Sequence, residues 1–332
     1  MRVLVTGAAG FLGPHVVRAL VASPERAMIR ALLREPDPRF AARFPEVEIA
    51  TGDLLDPVTL EAATSGVTTV VHLASKNVDR DGTGFGFNLQ GTTLLCRASV
   101  AAGARRFLYV SSVGVYGHTA HRDAEETAPV RPDTPFAASK AAAERALLDH
   151  HRAGELVATV LRHRFVYGEG DASVLPRLIR GARRYPFWID GGRARLSLVW
   201  AKDFAEVVRR FVEEPAEAAL RSGEPVFHVT SGESLTYRTL VETICEAFGY
   251  RPPRFSLPLW LPLAPLLLRE RLLGVDPEAV PGLSSLRLKL IGRDNHFSNR
   301  KLCARFPDLT FTPFARAFAE SIDYYRQFDS VE

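Results

Sequence analysis

Thr6-Gly7-Ala8-Ala9-Gly10-Phe11-Leu12-Gly13 is the stretch on which the fold turns. The apolar run Val3-Leu4-Val5 precedes it and reads as a short buried strand. Residues 11–21 follow with helical periodicity, Pro14 being tolerated in a first turn. Gly7 permits a tight turn, Gly10 lets the backbone approach a pyrophosphate, and Gly13 lets the helix pack close to the strand. Phe11 and Leu12 complete the loop, and the helix N-terminus faces the phosphates. A glycine string alone carries little. Placed between a strand and a helix, at the start of a βαβ pattern, it specifies a dinucleotide site.

Outward from that loop, apolar runs at 28–33, 47–50, 69–72, 107–110 and 156–161 read as strands. Helical stretches lie between them, the clearest at 89–102 and 135–151. This alternation predicts an α/β fold, a doubly wound parallel sheet of Rossmann type, with a smaller C-terminal substrate-binding part. The second half is less regular. Residues 202–212, 237–248 and 313–328 look helical, and 226–229 looks like a strand. Pro and Leu crowd between Pro252 and Pro281, which reads as irregular substrate-side structure at the sheet's C-terminal edge. The expected division is a dinucleotide-binding core over 1–165, with helix 202–214 packed back on it. Residues 166–200 and 215–332 then form the substrate part.

Composition narrows the function. The 332 residues are 46% hydrophobic and 24% charged, as in a folded globular chain. Net charge is +4 from 42 basic and 38 acidic residues, 37 of the basic ones being Arg. They are scattered in pairs such as Arg105-Arg106, without a dense run, so no nucleic-acid partner is expected. Cys96, Cys245 and Cys303 are far apart and odd in number, which argues against disulfides and zinc and for a reducing, cytoplasmic setting. No signal peptide fits the start. The most apolar stretch, 257–268, is too short to span a bilayer and is broken by Pro258, Pro262 and Pro265, so no membrane partner is expected.

The second strand ends Ala31-Leu32-Leu33-Arg34, where an NAD site usually has an acid for the ribose hydroxyl. Arg34 suits a 2′-phosphate instead, so NADP(H) is the expected cofactor and NAD(H) the second choice. The plainer reading is a surface arginine. Asp53, in Gly52-Asp53-Leu54, is placed to take the adenine amino group, or is simply a turn Asp.

Taken together, the chain resembles the extended short-chain dehydrogenase/reductase family, also called the NAD-dependent epimerase/dehydratase family. The resemblance rests on the 6–13 loop, Gly52-Asp53-Leu54, Val71-His72-Leu73-Ala74, Asn88, and Val110-Ser111-Ser112 with Val115-Tyr116-Gly117. The helix around Lys140 and Leu161-Arg162 with Val166-Tyr167-Gly168 extend it over most of the chain. It implies a Rossmann core with a C-terminal part that closes over a small-molecule substrate. It also implies homodimers through helices 89–102 and 135–151, and Leu54, Leu73, Ala74, Ser75 and Val166 beside the cofactor. Catalysis in the family uses a Ser or Thr with a Tyr-x-x-x-Lys pair. Helical spacing puts that Tyr and Lys on one face, where the Lys holds the nicotinamide ribose and favours the phenolate.

Here the segment reads Phe136-Ala137-Ala138-Ser139-Lys140. Ser112 and Lys140 match the pattern, but Phe136 stands where the Tyr belongs, and no tyrosine lies between Tyr116 and Tyr167. Phe136 carries no exchangeable proton. Three readings stay open: an engineered Tyr→Phe change, a natural reductase with another proton source, or a dinucleotide binder without catalysis. The second is preferred because other positions depart too. His163 replaces the Pro of the family's Leu-Arg-Pro segment, and Leu196 stands where nucleotide-sugar members carry Arg, with Arg195 one residue off. Proton carriers to weigh are Ser112, water, the substrate, Tyr116, His118, His121, Tyr167 and His163. His118 and His121 read as loop residues, and His163 is the unusual one.

The segments 226–230 and 253–262 look like the sterol- and flavonoid-reductase branch. Trp260 and Leu261, with Phe255, Leu257, Leu263 and Leu266, read as an apolar substrate cover or as ordinary core. The expected activity is an NADP(H)-dependent ketoreductase on a bulky polyketide- or sterol-like carbonyl, as in natural-product biosynthesis. A nucleotide-sugar epimerase, dehydratase or ketoreductase and a non-catalytic sensor are the alternatives.

If Arg34 meets a 2′-phosphate, NADPH binds more tightly than NADH, by on the order of 1.5–3 kcal/mol for a charge-assisted contact. Calorimetric titration of both cofactors should show this preference, and Arg34→Ala should erase it. Equal affinities in the unsubstituted chain would refute it.

Overall fold

Val3, Leu4 and Val5 have no exposed surface. A strand buried so completely needs neighbours on both edges and helices on both faces. A computed structural model describes residues 1–79, 81–215, 224–275, 277 and 282–328. Its elements begin β1 (Arg2–Thr6), α1 (Gly13–Val21), β2 (Met28–Leu33), α2 (Pro38–Arg43), β3 (Glu48–Thr51), α3 (Pro57–Thr64) and β4 (Thr69–His72). They continue with α4 (Gly86–Ala101), β5 (Arg106–Ser112), β6 (His121–Ala124), α5 (Pro135–Arg152), β7 (Val157–His163) and β8 (Val166–Tyr167). Next come α6 (Leu175–Arg184), β9 (Phe187–Ile189), β10 (Arg195–Leu196), β11 (Val199–Trp200), α7 (Ala201–Glu213) and β12 (Val226–Val229). The remaining described elements are β13 (Leu235–Thr236), α8 (Tyr237–Phe248), β14 (Phe255–Leu257), α9 (Trp260–Leu273), α10 (Ser285–Gly292), β15 (Asn295–Phe297), α11 (Arg300–Arg305) and α12 (Phe314–Arg326).

Seven strands form one parallel sheet in the order β12-β7-β5-β4-β1-β2-β3. The winding reverses between β1 and β4, which opens a crevice at the strands' C-terminal ends. Phe107, Tyr109, Leu95 and Leu147 fill the core beneath α4 and α5, and α7 packs on α1. This is the doubly wound α/β fold expected from the alternation.

The chain divides into two compact units. The first comprises Met1–Val115, Pro132–His163 and Ala201–Val229; the second comprises Tyr116–Arg131, Arg164–Trp200 and Thr230–Glu332. Two boundaries differ from the sequence reading. Residues 116–131 group with the second unit because β6 pairs with β15, and β12 completes the first unit's sheet beside β7. The second unit has its own core of Trp188, Trp200, Ile244, Phe314, Phe318 and Tyr325, with a four-stranded sheet β13-β10-β15-β6.

Three local expectations need correction. Helix α1 begins at Gly13, so Phe11 and Leu12 belong to the loop. His121 lies in β6, its Nε2 3.0 Å from the Gly117 carbonyl, and not in a loop. The Pro-rich stretch contains the 14-residue helix α9 with Pro265 inside it. Proline lacks an N–H and crowds a carbonyl one turn back; the lost hydrogen bond costs less where water reaches the backbone, as at exposed Pro265. Pro281, the far end of that stretch, lies outside the described residues.

Gly7 adopts φ +69°, and a Cβ there would lie 2.6 Å from the Ala74 nitrogen; one on Gly13 would lie 2.0 Å from the Ala8 carbonyl oxygen. Gly7→Ala and Gly13→Ala should each lower stability by about 1–3 kcal/mol in urea titrations. Gly86→Ala, where a Cβ meets nothing within 4 Å, is the control and should not destabilise.

Candidate active site

The loop after β1 has the form that an anion site requires. Gly10 N donates to the Gly7 carbonyl at 3.0 Å, Ala9 and Gly10 are exposed, and α1 starts without a side-chain cap or an acidic residue in its first turn. Its first N–H groups therefore remain to meet a phosphate. With glycine at 7 and 13, where any Cβ would collide, the loop closes tightly against Leu73 and Ala74 after β4. These residues fit a dinucleotide. Arg34 is exposed one residue beyond β2. Asp53 is exposed too, but its Oδ1 already accepts from Leu55 N at 2.8 Å, the behaviour of a turn Asp. Leu54 is buried against Gly91, so its role is packing beneath the site. Leu73, Ala74 and Ser75 are half-buried beside the glycine loop. Val166 is buried in the second unit, paired with Val199.

A buried network ties the strand ends together. The Thr6 hydroxyl is 2.6 Å from His72 Nδ1, and His72 Nε2 is 3.0 Å from the Thr92 hydroxyl. Full burial, with the Lys140 charge adding to it, lowers the His72 pKa to about 3, so this imidazole is neutral and structural. Asn88 accepts from Lys76 N at 2.7 Å and donates to the Ser139 hydroxyl at 2.9 Å. Ser139 in turn donates to the Phe136 carbonyl at 2.7 Å. Asn88 thus pins the loop after β4 to the first turn of α5. The family motif points to Asn88 without a task for it, and the polar Ser139 inside an Ala-rich turn is the signal for its partner.

Ser112, Phe136 and Lys140 all lie in the first unit. Ser112 Oγ accepts from Gly114 N at 3.1 Å, which leaves the hydroxyl proton for a carbonyl oxygen. Phe136 is half-buried, edge-on to Phe85 with ring centroids 5.8 Å apart. Lys140 is buried, donates to the Val110 carbonyl at 2.7 Å, and rests 4.2 Å from the centre of the Tyr109 ring. Burial lowers its pKa to about 7, partly offset by Glu144 one turn along. Glu144 is itself buried and holds Arg162 of β7 through a 2.6 Å contact. Tyr109 and Glu144 are not legible as site residues in the sequence, because both read as ordinary strand and helix residues.

Strand register adds a residue to this group. Ser112 at the end of β5 pairs with His163 at the end of β7. Paired residues of parallel strands project from the same face about 4.8 Å apart. His163 is half-buried, its ring edge-on to Phe204 at 5.7 Å. In the second unit Leu196 is buried while Arg195 is exposed and reaches Ser234 at 3.1 Å. Successive strand residues face opposite ways, so Arg195 does not substitute for an Arg at position 196. Tyr116 donates to the Glu126 carbonyl at 3.3 Å and Tyr167 packs on Phe314, both fold roles.

A sequence model of the NAD dependent epimerase/dehydratase family matches residues 3–223. The chain is 28% identical over 301 residues to the 4-hydroxy-2-methyl-3-oxo-4-farnesyl-3,4-dihydroquinoline-1-oxide ketoreductase of Stigmatella aurantiaca, covering 89% of this chain and 87% of that one. It is 29% identical over 340 residues to sterol demethylase protein B of Methylococcus capsulatus, covering 98% and 99%. Among solved structures it is similar to the UDP-glucose 4-epimerase of Thermus thermophilus in complex with NAD, with a TM-score of 0.70 and 25% identity over 98% of this chain and 99% of that one.

Lys140 makes stability depend on pH. The unfolded chain keeps this proton up to about 10.5 and the folded chain releases it near 7, so the unfolded state binds more protons between those values and stability rises with pH there. The difference in urea midpoint between the unsubstituted chain and Lys140→Met should therefore shift in favour of the unsubstituted chain above neutrality. A difference independent of pH would show that the amine titrates normally.

Proposed function

The chain belongs to the NAD dependent epimerase/dehydratase family, and on that premise we propose that it is an NADP(H)-dependent ketoreductase for a bulky, apolar carbonyl compound. The observation that carries this reading is the pairing of Ser112 with His163 at the sheet's C-terminal edge, on a chain whose Phe136 has no proton to give. The 6–13 loop and the α1 N-terminus hold the pyrophosphate, and Arg34 holds the 2′-phosphate. The solved relative binds NAD, so Arg34 is what supports NADP(H). Lys140 holds the nicotinamide ribose.

When bound, the reduced nicotinamide supplies the hydride. Ser112 donates to the carbonyl oxygen and stabilises the negative charge that grows there. A proton carried by the His163 ring passes to that oxygen, so that ketone becomes alcohol and a neutral imidazole remains. Likeness to the Stigmatella aurantiaca ketoreductase and to sterol demethylase protein B supports a bulky, apolar substrate; Trp260 and Leu261, expected from the sequence to cover it or to be core, are instead exposed on the outer side of α9. A nucleotide-sugar substrate, favoured by likeness to the UDP-glucose epimerase, would need an arginine where Leu196 is buried.

Stopped-flow oxidation of NADPH with a bulky cyclic ketone tests the assignment. His163→Gln should lower kcat by about 10²-fold or more, leave NADPH affinity unchanged, and remove the fall in rate toward alkaline pH. Ser112→Ala should lower kcat with affinity intact, and Lys140→Ala should weaken NADPH binding. Phe136→Tyr should change the rate by well under ~10²-fold. A large rescue by Phe136→Tyr, with His163→Gln inert, would overturn the proton assignment. Turnover of UDP-glucose without ketone reduction would overturn the substrate class.

A further inference from the structure

Helix α9 is apolar on two sides. Its inner side is ordinary: Leu263 packs with Ile189 and Leu288, and buried Glu270 accepts from Ser285 N at 2.8 Å. Its outer side is not. Leu261, Pro265, Leu268 and Leu272 follow one another at helical spacing and form a single stripe. Leu268 is 58% exposed and Leu272 is 74% exposed, with Trp260 and Leu273 each 67% exposed at the two ends. At 1.5 Å per residue the stripe runs about 16 Å. A helix facing only water places charges in such a stripe.

The charges sit beside the stripe instead. Arg269 and Arg271 flank it on either side, and both are exposed. Among the described residues from 257 to 293 the basic groups are Arg269, Arg271, Arg287, Lys289 and Arg293 against one carboxylate, the inward-facing Glu270; Asp276 and Glu278 lie outside the described residues. Arg177 of α6 is close enough to Arg287 to add to the burial that lowers the Arg287 pKa. Asp190, whose Oδ1 accepts from Leu259 N at 3.1 Å, puts a carboxylate at the start of the helix, so the positive field lies around the C-terminal half of the stripe, beside Arg269 and Arg271. A second copy of the chain would set this positive patch against itself across a two-fold axis. An anionic bilayer complements both parts, taking the leucines at the headgroup boundary and the arginines at the phosphates. No helix among the described residues is long and apolar enough to cross a membrane.

We propose that α9 seats this protein on the surface of an anionic phospholipid bilayer, with Leu261, Leu268 and Leu272 entering the headgroup–acyl boundary and Arg269 and Arg271 pairing with lipid phosphates. The proposal is independent of the ketoreductase assignment. Flotation of the full chain with phosphatidylglycerol/phosphatidylcholine vesicles tests it, with phosphatidylcholine vesicles as the neutral comparison. Binding should be at least about tenfold tighter to the anionic vesicles, weaken with added salt, and shift Trp260 emission to the blue. Leu268→Asp with Leu272→Asp should reduce binding at least about tenfold while far-UV circular dichroism and the urea midpoint, the folding controls, are unchanged. Arg269→Glu with Arg271→Glu should remove the preference for anionic lipid. No binding to anionic vesicles at low salt, or binding indifferent to the Asp pair, would overturn the proposal. A solution dimer dissolved by the Asp pair, without vesicle binding, would overturn it too and give the stripe to a second copy.

Discussion

The first unit depends on how closely two stretches of backbone approach at the C-terminal ends of β1 and β4. Gly7 has no Cβ, so its loop lies directly against Ala74, and Gly13 lets α1 turn away at once from Ala8. Those contacts fix the crevice where the sheet's winding reverses. They also hold Thr6 within reach of His72, and through Thr92 and Asn88 they set the first turn of α5. Ser139 and the first turns of α5, next to the candidate residues Phe136 and Lys140, are thus positioned by packing that begins at a glycine more than a hundred residues earlier in the chain.

Phe136 fits this scaffold without a hydroxyl. The Phe136 ring packs against Phe85, and Lys140 keeps its place over Tyr109. His163, at the end of β7, stands beside Ser112 by register alone.

Legibility in the sequence follows burial. Strands β1, β2, β4, β5, β7 and β12 lie within a sheet covered on both faces, so they appear as short, mostly apolar runs, with buried polar residues such as Arg30 and His228 among them. The short pairs β8–β11 and β10–β13 are two residues long and have no periodicity to read. Helix α9 escapes the sequence reading because its prolines argue against a helix and its outer leucines erase the amphipathic pattern. Ser112 and Lys140 are legible from motif spacing. The nearness of His163 to Ser112 is not, since pairing between β5 and β7 depends on the crossover between them and cannot be counted along the chain.

The buried ion pair between Glu144 and Arg162 joins α5, which carries Lys140, to β7, which ends in His163. Keeping two charges out of water opposes folding, but that opposition shrinks on heating, because the hydration given up becomes less favourable as temperature rises. Apolar contacts gain no comparable advantage. The joint between the helix that carries Lys140 and the strand that ends in His163 is therefore opposed less by desolvation as the protein warms.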